Sequence, residues 1–161
     1  MKSLLSICKI FSCCFLVVYT FSSCKTTLRV YGKDVPKKVI ITITGFDTAK
    51  GNLTMKDEKG MPADTIQVWP GQIIKWRIKG SGINSIDSIL AKRRNEITIF
   101  AEEPHEEFLS TTWKGKIKDE GAIKENGVRG EGDTYNYDYN IYWKLTKKGK
   151  IYTYDPRIQV K

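Results

Sequence analysis

Tyr135, Tyr137, Tyr139, Ile141 and Trp143 occupy alternate positions, with Asn136, Asp138 and Asn140 among the residues between them. A β-strand sends successive side chains to opposite faces, so it gathers all five large groups on one side. A helix would scatter the same residues around its axis. The period recurs after Pro70-Gly71, where Ile74, Trp76 and Ile78 alternate with Lys75, Arg77 and Lys79. That predicts a strand that is apolar on one face and basic on the other. Ile66 and Val68 share a face before the turn, and Pro followed by Gly suits the backbone angles of a tight reversal.

Other segments repeat the pattern with variations. Val39, Ile41 and Ile43 alternate with Ile40, Thr42 and Thr44, so β-branched side chains lie on both faces, as in a strand partly buried on each side. Gly45 ends that strand. Asn52–Lys56 and Ser110–Ile117, the latter around Trp113, read as further strands. Asn95–Phe100 reads as one with Ile97 and Ile99 on a shared face. Ile151–Tyr154 and Arg157–Lys161 read as the closing pair, with Ile158 and Val160 together. Ile83, Ile86 and Ile89 recur every third residue, which fits neither regular period. Glu102–Glu107 reads as an acidic loop around Pro104. Lys118–Asp133, polar and interrupted by Gly121, Gly127, Gly130 and Gly132, reads as a long loop. The sequence has no amphipathic helix of three turns and no internal repeat. Many short strands punctuated by turn residues predict an all-β fold, a Greek-key β-sandwich.

The N-terminus has a different grammar. Met1–Lys9 carries two lysines and no acid, and Ile10–Phe21 is an apolar run. A basic start, a short apolar core and small residues before a cut are the parts of a secretory signal. The run is about a dozen residues, against roughly 20 for a spanning helix. Phe21-Ser22-Ser23-Cys24 resembles the lipobox of bacterial lipoproteins. Phe three places before the cysteine departs from the Leu-rich form and matches looser boxes of some diderm lineages. The resemblance implies removal of residues 1–23, lipidation of Cys24 with palmitate-type chains, and membrane attachment through that lipid. Lys25 stands where an Asp would resemble an inner-membrane retention signal, and no acidic run resembles a surface-export signal. The expected location is therefore the cell envelope, on the outer membrane facing the periplasm. The implied organisation is a signal peptide 1–23, a lipidated cysteine and tether 24–36 with a first short strand at Leu28–Tyr31, and a β-sandwich domain 37–161.

Cysteine use fits this plan. Cys8, Cys13 and Cys14 fall in the removed part, so the mature chain keeps Cys24 alone and forms no internal disulfide. Its core must hold it, and a chain of about 130 residues is long enough for that. Lys+Arg total 27 and Asp+Glu 18; removing Lys2 and Lys9 leaves 25 − 18 = +7. Such a balance favours anionic lipid headgroups or polyanionic glycans, or simply solvated strand faces and blunted sheet edges. No basic helical stripe or binding motif points to nucleic acid.

Two segments resemble cupredoxin-like domains. One is Ile66–Ile78, a strand, a Pro-Gly turn and a Trp-bearing strand. The other is Tyr139–Val160, with its Tyr-x-Ile-x-Trp strand and its closing Ile-x-Val strand after Asp155-Pro156. Immunoglobulin-like sandwiches share such patterns. The family's copper does not carry over. That site needs two histidines and a thiolate, whereas His105 is the one histidine and the loop before the last strands reads Lys144-Leu-Thr-Lys-Lys-Gly-Lys150. No cofactor and no metal is expected.

Two candidate sites follow. Glu102, Glu103, Glu106 and Glu107 flank His105, a set that suits a divalent ion or a hydrolytic centre, though neighbours in a loop rarely converge unaided. Tyr135 and Tyr137 offer a stacking platform for a ligand such as a sugar, against the simpler alternative of core packing. No nucleophile elbow or phosphate loop is present. The expected protein is a membrane-anchored, non-catalytic binding or structural module for a protein or glycan partner, engaged through a sheet face or loops. The alternative is a metal-binding or hydrolytic protein centred on His105. The sequence leaves the oligomeric state open.

Overall fold

A computed structural model describes residues 27–30, 32–80, 82–92, 98–125 and 133–161. The described residues form β1 (Thr27–Val30), β2 (Lys33–Pro36), β3 (Lys38–Asp47), β4 (Asn52–Lys56), β5 (Thr65–Val68), β6 (Ile73–Ile78) and β7 (Ser85–Ala91). They continue with β8 (Phe100–Glu106), β9 (Thr112–Ile117), α1 (Glu120–Glu125), β10 (Tyr135–Lys144), β11 (Ile151–Tyr154) and β12 (Arg157–Val160). One sheet runs β4-β3-β6-β9-β8. The other runs β11-β10-β12-β5, with β7 on the far side of β10. The chain crosses between sheets at each step from β4 to β8, the crossed connectivity of a Greek-key sandwich. The all-β sandwich that the alternating segments predict is the fold observed.

The alternation sets what each sheet turns inward. Tyr137, Tyr139, Ile141 and Trp143 of β10 are fully buried, and they meet Ile41, Ile43, Ile74 and Trp76 of the opposite sheet in one core. Aromatic side chains bury about 150–250 Å² each, which at about 25 cal/mol per Å² is roughly 4–6 kcal/mol of transfer free energy apiece. Trp76 and Tyr139 lie with ring centroids 5.9 Å apart, and Trp143 stacks on Tyr152 at 4.6 Å. The last two strands act as one. β11 pairs with β10 from Lys144↔Ile151 to Ile141↔Tyr154, and β12 resumes the same register from Asp138↔Arg157 to Tyr135↔Val160. The ladder breaks at Asp155-Pro156 because Pro156 has no N–H to give.

The period of three at Ile83, Ile86 and Ile89 has a structural cause. Tyr142 pairs with Ser88 but Trp143 pairs with Ile86, so Asp87 is an extra residue in β7. This β-bulge resets the alternation and turns both Ile86 and Ile89 to the core. Asp87, pushed outward, accepts a hydrogen bond from Lys144 Nζ.

Four expectations need correction. Glu102–Glu107 is mostly strand β8 rather than loop, for reasons given below. The polar stretch from Lys118 opens with helix α1, whose Ile123 is buried; residues 126–132 lie outside the described part. Of the expected strand Asn95–Phe100, residues 95–97 also lie outside it, Thr98 and Ile99 are not in a strand, and β8 begins at Phe100. The segment 24–36, expected as a tether with a short strand at Leu28–Tyr31, has that strand as β1 (Thr27–Val30), but β1 pairs with β2 in an antiparallel hairpin in which Val30 and Val35 are buried.

That hairpin docks on the Pro70-Gly71 turn. Gln72 is buried at 2 % exposure; its Oε1 accepts from Trp69 N at 2.7 Å and its Nε2 donates to Pro36 O. One amide thus ties the turn to the end of β2. Gly71 is required there, since its φ is +77° and a Cβ would sit 3.1 Å from Asp119 Oδ1.

Candidate functional site

The strand directions sort the loops into two ends. β3 and β6 are parallel, and Lys38, Ile73 and Lys116 lie side by side at the end that also carries the β1–β2 hairpin. Ten residues of β3 at about 3.3 Å each lead to the opposite end, about 30 Å away. There lie the β3–β4 turn, the β6–β7 connection, the β8–β9 loop and the β10–β11 turn. Trp143 of β10 confirms the alignment of the sheets, since its Nε1 donates to Gly51 O in the β3–β4 turn at 3.1 Å.

The β8–β9 hairpin carries the acidic segment to this far end. Glu102 lies across from Lys116 and His105 across from Lys114. Lys114 Nζ reaches Glu102 Oε1 at 3.1 Å, and Lys75 of β6 donates to Glu107. Opposite charges on neighbouring strands stabilise this pairing, so the acidic run becomes an irregular edge strand instead of a solvated loop. Lys75 also lies directly across from Lys114, a repulsion that Glu102 and Glu107 offset. The hydrogen bond from Lys75 holds the Glu107 carboxyl below the usual carboxylate range, helped by the charges of Lys75, Lys114 and Arg77. Register shifts on either side of Glu102 and the presence of Pro104 blunt this edge against pairing with another sheet.

His105 does not gather the four glutamates. Its Nε2 lies 3.3 Å from Glu102 and its Nδ1 lies 2.9 Å from the carbonyl oxygen of Glu103. The register shifts on either side of Glu102 break the alternation of β8, so Glu102 rather than Glu103 meets the ring, and the Glu103 carboxylate instead accepts a hydrogen bond from Thr98 Oγ1. Among the described residues no group of three or more His, Cys, Asp or Glu side chains is placed to hold a metal ion.

The loop joining β8 to β9 has a different character. Phe108 and Leu109 stand at its tip, 91 % and 90 % exposed. Leu109 has φ +57°, the left-handed region that a residue with a Cβ adopts at a cost of about 1–2 kcal/mol. The loop is tied from within: Glu107 N donates to Thr112 O at 2.8 Å, Ser110 N to Glu107 O at 3.1 Å, and Thr112 N to Ser110 Oγ at 3.0 Å. Two large apolar side chains are thus held in water on a backbone that is itself strained. Around the same end, Lys50, Lys79, Lys147, Lys148 and Lys150 are all exposed.

The residues singled out from the sequence fare differently. Tyr137 is wholly buried, edge-on to Phe100 with ring centroids 5.6 Å apart, so it has no face left to stack on a ligand. Tyr135 is partly buried against the core. Cys24 lies outside the described residues. Phe108 and Leu109 were missed, although an apolar pair set between Glu106-Glu107 and Ser110-Thr111-Thr112 is a visible interruption. No protein-family model matches this chain, and no curated protein is similar to it above chance.

Proposed function

We propose that this protein is a lipid-anchored, non-catalytic binding module of the cell envelope that engages its partner through the loop end carrying Phe108 and Leu109. The observation that supports this most is the placement of that tip. It lies about 30 Å, the length of β3, from the hairpin that begins at Thr27, two residues after Lys25 and three after Cys24. An acylated Cys24 would hold one end at a bilayer and leave the other free to bind. Several acyl chains on one cysteine give durable attachment, since each buried methylene contributes about 0.8 kcal/mol. In this reading residues 1–23 are the secretory signal, and the outer membrane facing the periplasm is the site of action.

The anchor is tested with Cys24→Ala. The substitution is expected to abolish acyl labelling and to release the protein from the membrane fraction. Labelling that persists in the variant overturns the anchor assignment.

A further inference from the structure

We propose that the loop end remote from the N-terminus is an interfacial docking surface for an anionic lipid bilayer, into which Phe108 and Leu109 insert. This names the partner of the binding end described above and rests on that reading.

Three observations carry it. First, the tip presents one aromatic and one long aliphatic side chain almost wholly to solvent, on a loop closed by its own hydrogen bonds. Insertion into the boundary between headgroups and acyl chains needs that kind of small apolar wedge, and it needs no preformed pocket. Second, the wedge sits within a basic end. The exposed residues Lys50, Lys79, Lys147, Lys148 and Lys150 come from three separate connections, and the fold brings them to the end that carries the tip. Lysines close to an anionic surface add an attraction that fades within a Debye length. Third, Glu107, the acid adjoining Phe108, is engaged by Lys75 of β6, which leaves Glu106 beside the tip and Asp47 at the end of β3 as exposed carboxylates at this end, against five exposed lysines.

The geometry sets which bilayer is met. Two residues separate Cys24 from Thr27, and a fully extended chain reaches at most about 3.6 Å per residue. Standing upright on that tether, the domain holds its Phe108 end about 30 Å from the anchoring leaflet. The domain therefore joins two lipid surfaces, one through Cys24 and one through the tip.

The test uses the full chain purified from membranes and reconstituted into phosphatidylcholine vesicles. These are mixed with labelled acceptor vesicles of equal parts phosphatidylglycerol and phosphatidylcholine, or of phosphatidylcholine alone, and capture is read by energy transfer. Capture of the anionic acceptors and not of the neutral ones is expected. The double variant Phe108→Ser/Leu109→Ser is expected to lower capture about tenfold with an unchanged circular dichroism spectrum, because neither side chain is packed. Lys147→Glu/Lys148→Glu and high salt are expected to lower it as well. Equal capture of neutral acceptors, or a tip variant as active as the parent, overturns the proposal. Absence of any capture also overturns it and assigns the tip to a protein interface. A chain that does not stay with the first vesicles refutes the anchor instead. Direct sedimentation of that chain with the anionic vesicles then tests the tip, and parent and tip variant pelleting alike sinks it.

Discussion

Trp76 of one sheet donates its indole N–H to the hydroxyl of Tyr139 of the other at 3.1 Å, across 63 residues of sequence. Both side chains are completely buried, so each satisfies a polar atom that the core would otherwise strand. Tyr139→Phe removes one oxygen and leaves the indole N–H without its partner. A loss of about 1–3 kcal/mol is expected, read as a lower midpoint in urea with an unchanged slope. The half-buried Tyr142→Phe is the control and is expected to cost less than about 0.5 kcal/mol. Equal effects of the two variants would mean that the inter-sheet bond contributes nothing.

The bulge at Asp87 makes a prediction that a regular strand does not. With Ile86 and Ile89 on the same face, Ile86→Ala and Ile89→Ala should each destabilise by about 2–4 kcal/mol. Leu90→Ala, at a side chain 55 % exposed, should cost less than about 0.5 kcal/mol. In a strand without the extra residue, Ile86 and Ile89 would face opposite ways and one of the two would be tolerated. Thermal unfolding of the three variants separates the cases.

Stability should fall at alkaline pH. Burial raises the Tyr139 hydroxyl above its ordinary value of 10.0, with the hydrogen bond from Trp76 acting in the other direction. Burial raises Tyr154 too, and its hydrogen bond to Asp64 adds to the effect. The folded state therefore keeps protons that the unfolded chain gives up near pH 10. The stabilisation is complete below that pH and is lost as pH rises toward the folded-state values, by up to about 1.4 kcal/mol per unit for each tyrosine. Urea midpoints measured across this window, with Tyr154→Phe as comparison, check the sign. A parent protein whose midpoint does not move between neutral pH and pH 11 refutes it.

The tip should be stabilised by substitution. Leu109→Asn places a residue that tolerates the left-handed region at φ +57°. A gain of about 0.5–1 kcal/mol is expected, together with weaker docking on anionic vesicles. A residue that lowers stability where it stands and supports binding marks a position held for function. Loss of stability in this variant would show that Leu109 packs in solution and is not presented.

Much of the core was legible in the sequence. Tyr137, Tyr139, Ile141 and Trp143 announced their shared face, as did Ile74 and Trp76, because the two-residue period is a property of the extended backbone itself. Even the irregular spacing of Ile86 and Ile89 was a true signal, of a bulge that local pattern alone does not name. The site was not legible in the same way. The glutamates around His105 looked like a cluster because they are adjacent in sequence, but extension along an edge strand parts them and pairs Glu102 with Lys114 and Glu107 with Lys75.

The sequence by itself determined the all-β class, the inward faces of the strands and the net positive charge, since each depends on residue type and on spacing along one strand. Tertiary structure alone decided which ends meet. That Phe108 and Leu109 stand at the pole away from Thr27, among lysines from three connections, follows from strand order and register between segments far apart in the chain. Those pairings arise from long-range packing of the two sheets, which no local run of residues encodes.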